Sequence, residues 1–190
     1  MIRNVILAGV AALGLASAAN AQPMDSGMQG PGMSPMHGPM HGMGEPMAMD
    51  FITKAAQSDQ FEIQEGRLAG MRSHNPHIRQ FAQMMVSAHT KTTMGLKHAI
   101  RQTGMAPPPP PMLRDDQMHM ISDLRSAHGP DFDRAYIDQQ VHAHEQALQL
   151  MQNYAQNGHP GPIRDAAQMT APIVQHHLDM ARDIQSHIGG

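Results

Sequence analysis

The sequence predicts an all-α protein, an antiparallel four-helix bundle with an extra short helix between the second and third long helices. Three observations carry this. Four stretches place apolar residues at alternating spacings of three and four, the period of a buried helix face. Proline- and glycine-bearing turns separate those stretches. No run alternates at period two, as a strand would.

The N-terminus reads as a signal peptide. Arg3 supplies a positive start, Val5 to Leu15 is an apolar run, and Ala19-Asn20-Ala21 places small residues where a signal peptidase cuts, after Ala21. The run is shorter than the ~20 residues a spanning helix needs. No later segment is apolar enough to span, so the mature protein is expected to be exported without a transmembrane segment, to a periplasm. Residues 22–49 follow as a tail of Met, His, Gly and Pro, a composition that buries no core and is expected to be disordered. The domain proper is expected over residues 50–190.

The first long helix is placed at Phe51–Arg72 with Asp50 as its N-cap. Its seam is Phe51, Ala55, Ser58, Glu62, Glu65 and Ala69. After the Ser73-His74-Asn75 turn, the second helix runs from Pro76, which suits a first turn, to Gln102 and ends at Gly104. Its seam is Ile78, Ala82, Met85, His89, Thr92, Leu96 and Ala99. Pro107–Pro111 form a polyproline spacer, and a short helix covers about 115–127. Asp131 is read as the cap of the third long helix, which ends near Gln156. Its seam is Ile137, Val141, His144, Leu148, Met151 and Ala155. The fourth runs from Pro162 to His187, with a kink expected near Met169 because Pro172 lies inside it. Its seam is Ile163, Ala167, Thr170, Val174, His177, Ala181, Ile184 and Ile188.

Composition excludes several classes of function. There is no Cys, hence no disulfide and no thiol nucleophile, and no Trp. The net charge of −3 and the scarcity of aromatics speak against a nucleic-acid partner. No Gly-x-Ser-x-Gly turn or phosphate-binding glycine loop is present, so catalysis is not expected. The chain instead holds 20 Met and 14 His.

A buried imidazole or carboxylate is costly unless it is paired or bound to metal. Three seams are each interrupted by one histidine, His89, His144 and His177, and the first helix contributes Glu62 with Glu65 a turn away. In an antiparallel bundle these groups fall within about one turn of a common level. The partner this predicts is a metal ion: three imidazoles and a carboxylate suit zinc, copper or iron. The tail offers a second ligand set. Its methionines recur every few residues, with Met36-His37, Met40-His41 and Met43 at the centre, and thioethers with imidazoles suit copper.

Four motifs carry a resemblance: FITKAAQSDQFEIQEGRLA at 51–69, FAQMMVSAHT at 81–90, FDRAYIDQQVHAH at 132–144 and IVQHHLDMA at 173–181. In this order they resemble family 4142 of the domains of unknown function, often labelled an outer membrane protein and grouped with ferritin-like folds. The resemblance implies a ferritin-like bundle in an exported bacterial protein, and Glu62, His89, Asp133, Tyr136, His144 and His177 match the family's recurring polar residues. Di-iron ferritins place a Glu three residues before a His. Here those positions are Val86, Val141 and Val174, which speaks against ferroxidase chemistry. The reading is thus an exported metal-binding bundle. The alternative is an envelope stress or interaction module whose core histidines respond to pH without metal.

Overall fold

A computed structural model describes residues 44–188. It contains five helices, α1 (Gly44–Arg72), α2 (Pro76–Thr103), α3 (Asp115–Ser126), α4 (Gly129–Asn157) and α5 (Pro162–Ile188). No strand occurs among the described residues. The signal peptide and residues 22–43 of the tail, including Met36, His37, Met40, His41 and Met43, lie outside them.

Local chemistry sets the helix ends. The Asn75 side chain accepts from the backbone N–H groups of His77 (2.9 Å) and Ile78 (3.5 Å), and Pro76 opens α2 where no N–H is required. Gly104, at φ 74°, ends α2 in the left-handed conformation that favours glycine. These tight connections lay α1 against α2, and α4 against α5. The two pairs then meet through α2 with α5 and α1 with α4. Helix α3 packs on the α1–α4 side. Arg72, at the end of α1, donates to the carbonyls of Leu124, Arg125 and Ala127, which the end of α3 leaves free. Its guanidinium also lies 4.9 Å over the Phe132 ring.

Two boundaries differ from the sequence reading. Helix α1 begins at Gly44, not Phe51, so residues 44–49 are helical and Asp50 is no cap. Pro46 and Glu45 suit a first turn, and Ala48 is buried against the cluster that holds Phe51 and Tyr154. Asp50 instead pairs with Lys54 across one turn, at 2.8 Å. Helix α4 begins at Gly129, with Pro130 in its opening turn and Asp131 inside the helix. Helix α5 continues through Pro172 as one helix.

Apolar side chains collect in two clusters. One gathers Phe51, Ile52, Leu96, Ile100, Met151, Tyr154 and Val174, with Phe51 stacked on Tyr154 at 4.1 Å. The other gathers Ile78, Phe81, Met85, Leu124, Phe132, Tyr136 and Ile137. Every long helix crosses from one cluster to the other, and at the crossing buried polar residues collect beside Phe61 and Leu178: Asp59, Glu62 and Glu65 on α1, His89 on α2, Gln140 and His144 on α4, His177 on α5. Close helix approach fixes this level. A Cβ on Gly66 would lie 2.9 Å from the Ala82 carbonyl oxygen and 2.9 Å from the Val86 Cγ2, so only glycine lets α1 and α2 come together there.

Gly66→Ala is therefore expected to lower the unfolding free energy by about 1–3 kcal/mol, the usual cost of overpacking. Urea denaturation followed by circular dichroism measures this. An unchanged midpoint would mean that the helices are not in such close contact.

Candidate metal centre

Each imidazole comes from the middle of a different helix. His89 lies between Met85 and Leu96 on α2, His144 between Ile137 and Ala147 on α4, and His177 between Val174 and Ala181 on α5, all buried. The three rings form a triangle whose centroids are 5.6 Å apart on every side. One ring nitrogen from each lies within 4.8 Å of the others.

Hydrogen bonds turn two of the rings. His89 Nδ1 lies 2.8 Å from Asp59 Oδ1. The same carboxylate accepts from Thr92 Oγ1 and Thr93 Oγ1, each at 2.8 Å, so it is held on both oxygens. His144 Nδ1 lies 2.8 Å from the Gln140 carbonyl oxygen one turn back. A carboxylate and a carbonyl can only accept, so both Nδ1 atoms carry a proton, and Nε2 offers a lone pair whenever its ring is neutral. His89 Nε2, His144 Nε2 and His177 Nδ1 are buried with no hydrogen-bond partner. Three buried nitrogens without partners, two of them on rings braced from behind, match the donor set of an imidazole metal site.

Electrostatics divide the triangle. Burial pushes His144 down to about 4, and the nearby charge of His89 adds to it. Burial likewise pushes His177 down to about 3, with His89 and His144 adding to it. Burial also pulls on His89, but Asp59 and Glu62 outweigh it and raise its pKa. Two rings are therefore neutral and ready to ligate at pH 7, while His89 holds its proton more tightly.

Glu62 does not join the group of three nitrogens. It is buried, and its Oε1 approaches the braced edge of His144, 3.7 Å from Nδ1. Burial pushes its carboxyl up to about 7. Glu65, next along α1, accepts from Gln140 Nε2 at 3.0 Å. His142, His159, His176 and His187 are exposed. A groove of about 940 Å³ between α2 and α5 reaches Asp59 and Thr92, but none of the three imidazoles lines it.

Sequence reasoning missed Asp59 and Gln140, and reached Tyr136 only through the family resemblance. It placed Ser58 on the α1 seam, whereas Asp59 is the buried residue. The spacing Asp59-x-x-Glu62-x-x-Glu65 carries that signal, since three acids on one face are hard to reconcile with an apolar seam. On α4 the buried face includes Tyr136, Gln140 and Tyr154, one residue before the predicted Ile137, Val141 and Ala155. The apolar template passed over Tyr136 and Gln140 because both carry polar atoms.

Comparison with known proteins adds family and fold. The family model "Domain of unknown function (DUF4142)" matches residues 36–184. No curated protein matches the sequence. Among solved structures, a protein of Streptomyces coelicolor described as secreted and assigned to DUF305 is similar with a TM-score of 0.64 and 11% identity, over 76% of this chain and 93% of its own. CopM in its Cu(II)-bound form is similar with a TM-score of 0.63 and 17% identity, over 74% of this chain and 96% of its own. At such identities the likeness is one of helical fold. Among the described residues no helix is long and apolar enough to cross a membrane.

The buried carboxyl of Glu62 gives a pH signature in metal-free protein. Its folded value of about 7 lies above its ordinary 4.5, so its stabilising share is complete below the ordinary value and is lost as pH rises through the folded one. Glu62→Gln has no such loss. The variant's stability relative to the parent is expected to grow between about pH 5 and about pH 8 by on the order of 3 kcal/mol. Urea denaturation at the two pH values reads the difference, and a gap that stays constant refutes it.

Proposed function

The chain belongs to the DUF4142 family, a domain of unknown function, and from that premise we propose that it is an exported, periplasmic protein whose ferritin-like bundle binds a transition-metal ion through His89, His144 and His177. The observation that carries this reading is that three buried imidazoles from three helices, each with a partnerless nitrogen, bring one nitrogen apiece within 4.8 Å of the others. Leaving one such atom unpaired costs about 1–3 kcal/mol. A shared ion would satisfy all three together.

The donor set suits copper, zinc or iron. Copper receives separate support from the fold shared with CopM, whose structure contains Cu(II). In the tail, Met36, His37, Met40, His41 and Met43 supply the thioethers and imidazoles that copper favours and would capture the ion ahead of the bundle. Asp59 acts as a positioning residue. It fixes the His89 ring and keeps that ring's proton on Nδ1. The rival reading, an interaction module with pH-responsive core histidines, leaves the inward nitrogens without an explanation.

His144→Ala is expected to reduce bound metal per chain at least about tenfold while leaving helicity in place. Elemental analysis with circular dichroism tests this, and undiminished metal content removes the bundle site. Deleting residues 22–43, which spares α1, separates the tail's share from the bundle's.

Asp59→Asn is expected to weaken Zn²⁺ binding by about 10–100-fold, the usual cost of losing an outer partner. It should also move the pH dependence. In the parent, binding weakens as pH falls through the raised pKa of His89, because that ring must shed its extra proton. Without the Asp59 carboxylate the fall-off should move to lower pH. Calorimetric titration across pH tests this, and an unshifted profile rules out the positioning role.

A further inference from the structure

Beside the imidazole triangle, on the α1–α4 side of the polar level, lies a second buried group of atoms with no assigned purpose. Glu62 and Glu65 project from α1 one turn apart, and Tyr136 and Gln140 from α4 one turn apart. All four are essentially inaccessible, at 1%, 0%, 0% and 0% exposure. One hydrogen bond joins the helices here, from Gln140 Nε2 to Glu65 Oε2 at 3.0 Å. With Glu65 ionised, that bond requires the amide nitrogen to face it and leaves the amide oxygen free. Five oxygen atoms then remain buried without a partner: both of Glu62, Oε1 of Glu65, the Tyr136 hydroxyl and Oε1 of Gln140. Tyr136 lies one turn before Gln140 on the same buried face of α4.

Every unpaired atom on this side is oxygen, and the set holds two carboxylates, an amide carbonyl and a phenol. Hard cations prefer such donors, whereas imidazole nitrogens select borderline and softer ions. No Lys or Arg pairs with either carboxylate among the described residues; the nearby bases are His144, at 3.7 Å from Glu62, and His89, whose charge acts on Glu62. Two buried carboxylates need a positive partner if both are ionised, and a divalent ion would neutralise the pair.

We propose that Glu62, Glu65, Tyr136 and Gln140 form a second cation site, selective for a hard divalent ion of the Mg²⁺, Ca²⁺ or Mn²⁺ class and distinct from the three-imidazole centre. The polar level would then hold two sites of opposite preference, nitrogen ligands toward α2 and α5 and oxygen ligands between α1 and α4. This assignment does not depend on the imidazole centre being filled. It takes Glu62 out of that centre's ligand set and explains why its carboxylate faces the braced edge of His144 instead of the inward nitrogens.

Tb³⁺ is a hard, oxygen-seeking probe whose emission is sensitised by a nearby tyrosine. The chain has two tyrosines and no tryptophan, and the other tyrosine, Tyr154, is stacked on Phe51 in the apolar cluster. Metal-stripped full-length chain titrated with Tb³⁺ should give tyrosine-sensitised emission that saturates at one ion per chain and is displaced by Mn²⁺ or Ca²⁺. Glu65→Gln keeps the antenna and should weaken Tb³⁺ binding at least about tenfold. Tyr136→Phe, close to isosteric, should abolish the sensitised signal, and His177→Ala should leave it intact. Circular dichroism confirms that each variant is folded. The proposal is overturned if no sensitised emission appears, if it persists in Tyr136→Phe, if Glu65→Gln binds as tightly as the parent, or if His177→Ala removes the signal.

Discussion

The structure depends on one constraint: a level of ionisable side chains has to be satisfied in the middle of an otherwise apolar helix assembly. All four long helices pass through that level between the two apolar clusters. A continuous apolar core would have been the simpler way to hold them together, because burying polar atoms stabilises only when each finds a partner. The outward-facing atoms do find partners. Asp59 is held by two threonines and an imidazole, and His144 is held by its own helix's carbonyl. The inward-facing atoms do not, and there the reason for having such a level has to be sought.

Geometry and charge reinforce one another around this level. Gly66 allows α1 and α2 to approach closely enough for Asp59 to meet His89, Thr92 and Thr93 across the helix interface. That contact keeps His89 the most basic of the three rings, and its charge in turn helps hold His144 and His177 neutral. Displacing α1 by one residue would move Asp59 away from His89 and carry both glutamates off the α4 side chains they face. The placement of these polar side chains and the helix packing are therefore one problem, solved by the same few contacts.

The comparisons define the fold and leave the chemistry to the residues. Two helical proteins at 11% and 17% identity share this architecture, and packing of apolar faces reproduces such a fold with very different sequences. Ligand preference follows from which atoms reach the interior unpaired. Here these are nitrogens toward α2 and α5 and oxygens between α1 and α4.

Periodicity alone determined that the protein is helical, where the turns fall, and that His89, His144 and His177 interrupt buried faces. Each follows from the helix's fixed 3.6-residue repeat acting on local side chains. Local patterning could not show that residues 44–49 join α1, because the burial of Ala48 comes from a cluster that includes Tyr154, far away in sequence. Nor could it choose between Ser58 and Asp59, or find Tyr136 and Gln140, because a polar residue looks exposed until its distant partners are in place. Only the tertiary structure decided that the imidazoles meet as a triangle while Glu62 turns aside. Rotation of each helix about its axis is set by packing against its neighbours, and one residue's rotation, about 100°, moves a side chain from one site to another.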